Sequence, residues 1–137
     1  MTARKRLPDI ISGPRAYPVT SDMPPGHVTV YVEDHRHSPH LRPGESALVD
    51  TTDREIVFGE LYLIRQSRGP VLWQISRAPE WARPGDAMLH PLNRPRLKAD
   101  GQPDLTGPMH LSDGPLALDW LATKIIGRVV AVFTDPG

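Results

Sequence analysis

The chain has 137 residues, with 16 Lys and Arg against 16 Asp and Glu, so no net charge draws it to nucleic acid or to a membrane surface. It has no cysteine, which excludes disulfides, thiolate catalysis and cysteine-ligated zinc. No apolar run approaches the roughly 20 residues that span a bilayer, and the charged first residues precede no apolar core, so a cytoplasmic protein is expected.

Proline is abundant, at 16 residues, more than twice the usual share of about 5%. Helix interiors and central strands exclude it, so the composition predicts one domain of short strands joined by many turns. Residues 1–25 hold Pro8, Pro14, Pro18, Pro24, Pro25 and Gly13 and show no periodicity. They read as an extended or disordered arm that precedes a β domain over 26–137. Arg4, Lys5, Arg6 and Arg15 make the arm locally basic, opposed by Asp9 and Asp22. So short a cluster reads as solvating charge, and direct nucleic-acid binding is not expected.

The first strand is predicted over His27–Glu33, with Val28, Val30 and Val32 on one face and Thr29, Tyr31 and Glu33 on the other. A loop over Asp34–Glu45 leads to a strand at Ser46–Asp50. Thr51–Arg54 is turn material. Gly59 opens a strand at Glu60–Gln66, and Arg68-Gly69-Pro70 connects it to a strand at Val71–Ser76. Pro79–Asp86 turns into an apolar run at Ala87–Leu92. Asn93–Gly114, rich in proline, glycine and aspartate, reads as a long excursion. Leu116–Leu121 fits either one helical turn or a short strand. Ile125–Phe133, reading IIGRVVAVF, is the strongest strand signal in the chain. Of Trp73, Trp81 and Trp120, at least one is expected in the core.

Asp34–Asp50, reading DHRHSPHLRPGESALVD, gathers three histidines, two arginines and three acids at the mouth of a strand, where catalytic and metal sites are often built. His35 and His37 lie on one side of an extended segment, and Asp34, His40 or distant His90 would complete a metal site. The spacing matches no helical His-Glu-x-x-His pattern, and no metal or other cofactor is expected. Ser38 or Ser46 beside His37 and His40 suggests a nucleophile and base, yet no oxyanion donor can be named.

Three pieces in order carry a resemblance. Leu41-Arg42-Pro43-Gly44-Glu45 runs into Ala47-Leu48-Val49-Asp50, Gly59-Glu60 opens Leu61-Tyr62-Leu63-Ile64, and Ile126-Gly127-Arg128-Val129-Val130 closes the chain. Over residues 27–133 this resembles the self-cleaving serine peptidase domain of LexA and UmuD, similar in fold to type I signal peptidases. The resemblance implies a mainly β, antiparallel domain with a flexible N-terminal arm. It also implies a Ser–Lys dyad, which the chain lacks. Arg36 stands at the nucleophile position and Gln74 near that of the base. No lysine occurs between Lys5 and Lys98, and arginine does not deprotonate to serve instead.

The resemblance therefore implies a catalytically inactive, homodimeric regulatory module of bacterial or phage type, dimerised through Ile125–Phe133. A remnant cleft of Arg36, His37, Ser38, His40, Trp73 and Gln74 would hold a peptide, the chain's own arm or a partner's segment. Arg36 is expected to pair with Asp34 or Glu33. The competing expectation is a metal-dependent hydrolase that uses His35, His37 and His40.

Overall fold

A computed structural model describes residues 15–93, 99–100 and 112–135; Arg4–Arg6 and most of the Asn93–Gly114 excursion fall outside them. The elements in order are β1 (Val19–Thr20), β2 (His27–Tyr31), β3 (Ser46–Asp50), β4 (Leu61–Gln66), β5 (Gly69–Arg77), β6 (Asp86–His90), β7 (Asp113–Ala117), α1 (Leu118–Ala122) and β8 (Ile125–Phe133). They form one mainly antiparallel sheet, ordered β2-β3-β8-β4-β5-β6-β7, with β1 added parallel to β8.

β8 is the axis of this sheet. Along one edge it pairs with β3, from Asp50↔Arg128 to Ser46↔Phe133. Along the other it pairs first with β4, from Ile64↔Ile125 to Tyr62↔Arg128, and then with β1 at Val19↔Val132 and Thr20↔Phe133. The strand expected to join two copies thus has both edges occupied by its own chain. Its strong β-propensity reflects its central place in the sheet.

β4 is buried on both faces, so it reads as a continuous apolar run rather than an alternating one. Leu61 and Leu63 pack with Leu41, Val49, Leu72, Val129 and Val132 in one cluster. Tyr62 and Ile64 pack with Trp73, Ile75, Leu89 and Leu121 in another. Fully burying side chains of this size contributes about 1.5–3 kcal/mol each. The Tyr62 hydroxyl also donates to Glu55 O at 2.6 Å and accepts from Val57 N–H at 2.7 Å, pinning the segment before β4 to the core. Trp73 is the core tryptophan, whereas Trp81 and Trp120 are 74% and 51% exposed.

Two strands escaped the sequence reading. β1 has two residues directly after Pro18, too few for a periodic signal, and exists because Val132 N–H and Thr134 N–H find Pro18 O and Thr20 O, each at 2.8 Å. β7 contains Gly114 and Pro115, residues that argue against a strand anywhere but at a sheet edge. The undecided stretch after it is strand to Ala117 and one helical turn beyond.

Gly127 has a packing reason to be glycine. An added Cβ would lie 2.8 Å from Val49 Cγ1 and run into the Asp50 carbonyl, because β3 crosses close to β8 there. Gly127→Ala is therefore expected to destabilise the fold by roughly 1–3 kcal/mol, read as a lower urea midpoint at unchanged m-value.

Candidate functional site

The Asp34–Glu45 loop is a chain of tight turns. Ser38 N–H reaches His35 O, His40 and Leu41 N–H reach His37 O, and Glu45 N–H reaches Arg42 O. Its anchors are Leu41, fully buried in the core, and His37, only 4% exposed. His37 Nδ1 accepts the Leu92 N–H at 3.2 Å, so the ring's proton resides on Nε2, which donates to Leu72 O at 3.0 Å. Asn93 ties down the rest: its N–H donates to Arg36 O and its side-chain Nδ2 to His35 O, both at 2.9 Å. One neutral imidazole and one asparagine thus stitch the loop to β5 and to the end of β6.

The residues that looked catalytic have structural partners. Ser38 is 2% exposed, its Oγ 3.0 Å from His35 Nδ1 and 3.4 Å from Leu41 O, beyond the reach of a substrate. His35, His37 and His40 do not converge: among the described residues no cluster of three His, Asp or Glu could hold a metal ion. His90 is hydrogen-bonded through Nδ1 to Ser112 Oγ at 2.6 Å. Arg36 makes no side-chain ion pair with Asp34 or Glu33. Asp34 Oδ1 accepts the Arg36 backbone N–H at 2.9 Å, while the guanidinium lies over the Trp73 ring, 5.7 Å from its centre. Stacking on an indole offsets the cost of covering the cation's face, which is why the expected pairing gives way.

The proposed cleft residues divide between two cavities. Arg36 and His37 line one of about 340 Å³ between the end of β2 and the start of β5. Gln74 and His40 line the other, about 480 Å³, with Tyr17, Glu60 and Arg128. Trp73 and Ser38 line neither. Adjacent residues on β5 point to opposite faces, so Trp73 and Gln74 cannot share a cavity wall.

In the larger cavity Arg128 faces two carboxylates, while its buried Nε has no hydrogen-bond partner. Arg128 bridges Asp53 at 2.8 Å and Glu60 at 3.2 Å, and Gln74 Nε2 donates to Gly59 O at 3.0 Å. The wall over it is the N-terminal segment. Arg15 makes a two-pronged pair with Glu45, at 2.8 and 2.6 Å, and also donates to His40 O. Ala16 N–H donates to His40 Nδ1 at 2.9 Å, and the Tyr17 ring meets the His40 ring edge-on, centres 6.5 Å apart. Burial, reinforced by the Glu60 carboxylate, pushes the Tyr17 hydroxyl up to about 12. Arg15, Tyr17, Glu60 and Arg128 were not marked as site residues in the sequence, since the partners of Arg15 and Arg128 lie 25 or more residues away and no motif marks them.

The arrangement is a polar pocket in which, among the described residues, no serine hydroxyl lies exposed beside a base. Comparisons with protein-family models, with curated proteins and with solved structures find no match to this chain.

The docked segment carries a pH dependence. Burial, and then the nearby Arg15 cation, lower the His40 imidazole below its ordinary 6.5. Burial alone would raise the Glu45 carboxyl, but hydrogen bonds from Arg15 and Arg42 hold it below 4.5. Both groups bind protons more weakly when the segment is docked. Their contribution is complete above about pH 6.5 and declines as pH falls below it, His40 first and Glu45 later. Hydrogen exchange should show the Ala16 amide, which donates to His40, less protected at pH 5.5 than at pH 7.5. Equal protection after correction for intrinsic rates would contradict this account.

Proposed function

We propose that the chain is a catalytically inactive relative of the LexA and UmuD peptidases that works as a peptide-holding regulatory module. One observation carries the reading: Arg15–Thr20 bends at Ala16 and Tyr17 over the larger cavity and then runs as a strand along the free stretch of β8, as a bound peptide would. Adding a strand to a sheet edge draws affinity from main-chain hydrogen bonds and specificity from side-chain pockets. Both are present, the first at Pro18 O and Thr20 O, the second at Arg15 and Tyr17.

Inactivity is supported from two sides. The chain lacks a lysine where the base belongs, and the positions that correspond to nucleophile and base, Arg36 and Gln74, line separate cavities. The histidine-metal alternative draws no support, because both ring nitrogens of His37 are engaged by backbone groups. The occupied slot is then the regulated element: a partner's segment of similar character would replace the chain's own.

A fluorescent peptide of residues 15–24 tests this. It should bind the wild-type chain weakly, since the tethered segment competes at millimolar effective concentration. Arg15→Ala loosens the tether while leaving Glu45 to receive the peptide's arginine, so anisotropy should report roughly tenfold tighter binding, about 1.4 kcal/mol. Failure of the peptide to bind either protein would make β1 a fixed part of the fold and end the proposal.

A further inference from the structure

Main-chain bonds fix how a segment lies on the free stretch of β8, but they are blind to its sequence. Val132 N–H donates to Pro18 O and Thr134 N–H to Thr20 O, each at 2.8 Å, and these bonds set a parallel direction and a register. Any residue supplies such carbonyls. Val19, 56% exposed, adds little that the domain can read. Selection among segments falls to the residues before the ladder, Arg15 to Tyr17.

Arg15 meets three acceptors at once. Nη1 donates to Glu45 Oε1 at 2.8 Å and to His40 O at 2.9 Å, and Nη2 donates to Glu45 Oε2 at 2.6 Å. Glu45 is held in place for this, since Arg42 N–H donates to its Oε1 at 2.7 Å. A planar guanidinium meets a carboxylate with two parallel bonds, whereas a lysine ammonium is a compact, strongly hydrated point charge that cannot form the fork. Side-chain exposures of 17% for Arg15 and 21% for Glu45 keep most water away from the pair, so the fork's geometry counts. The next residue is read only through its backbone: Ala16 N–H donates to His40 Nδ1, while the residue itself is exposed. Tyr17 is read through its hydroxyl. Leu61 N–H, on a fully buried residue, hydrogen-bonds the phenol oxygen, and the ring meets His40 edge-on. A phenylalanine would leave that N–H without this acceptor, in a setting where an unmet donor is costly.

We propose that the β8 slot selects partner segments that read arginine, any residue but proline, then tyrosine, followed by a stretch that lies parallel to β8. Glu45 and His40 O read the guanidinium, His40 Nδ1 reads the intervening N–H, and Leu61 N–H reads the phenol. The occupant is a protein segment of basic and aromatic character, and the chain's own Arg15-Ala16-Tyr17 is the internal copy of that signal. A lysine-rich segment, or an aromatic one without the arginine, fits the ladder but not the groups that read it. The inference rests on the peptide-holding reading of the slot and names the segment that the slot takes.

Variants of the fluorescent peptide of residues 15–24, titrated with the full chain carrying Arg15→Ala, test this by anisotropy. Against the parent peptide, Arg15→Lys should weaken binding at least about tenfold, through loss of the fork. Tyr17→Phe should weaken it at least about fivefold, through the unmet Leu61 donor. A Met23→Ser peptide, changed at an exposed residue outside these contacts, should bind like the parent. Adding Glu45→Gln to the chain keeps an acceptor for Arg42 N–H but removes the charge. The preference for arginine over lysine should then fall to about twofold or less, with circular dichroism still native. Lysine and phenylalanine peptides that bind within about twofold of the parent would overturn the selectivity while leaving the peptide-holding reading in place. An arginine preference that survives Glu45→Gln would overturn it too. No binding by any of the peptides would end both readings together.

Discussion

The two hydrogen-bonding edges of β8 are the constraint on which this molecule depends. One edge is filled by β3; the other is divided between β4 and β1. Buried strands leave no backbone group unpaired without a penalty of about 1–3 kcal/mol each, so the part of β8 beyond the end of β4 needs a partner. Val132 and Thr134 find theirs in the segment after Pro18. That need draws the N-terminal segment onto the domain. It also brings Arg15 and Tyr17 against Glu45 and His40, over the larger cavity.

The same accounting explains why the titratable side chains of the Asp34–Glu45 loop find partners within the fold. A loop that dips into the core carries polar groups with it, and those groups must be satisfied there. His37 supplies one acceptor and one donor to two backbone groups, Leu92 N–H just beyond β6 and Leu72 O within β5. His35 and Ser38 satisfy each other, and His40 receives the Ala16 amide. Side chains that suit catalysis at an open surface also suit this structural work, because both tasks call for a compact group that can donate and accept.

Much of the fold was legible in the chain. β3 and β8 match their expected bounds, and β2, β4, β5 and β6 fall within about two residues of theirs, because apolar alternation and punctuating Gly and Pro mark them. β1 and β7 were not legible. One is created by the edge it completes, and the other is tolerated only at an outer position where its proline has no ladder bond to break. The candidate site was legible as a place and not as an arrangement: residues 36 and 37 reach one cavity, residues 40 and 74 another, since alternation along β5 separates faces that a linear reading merges.

By itself the sequence determined a cysteine-free, mainly β chain with no lysine between Lys5 and Lys98. Those conclusions depend only on residue identity and short-range periodicity. Tertiary structure alone decided which strand is central, which described strands are outermost, and where the proton of His37 resides. Each of these turns on hydrogen bonds between groups tens of residues apart, and no local pattern in the chain encodes such pairings.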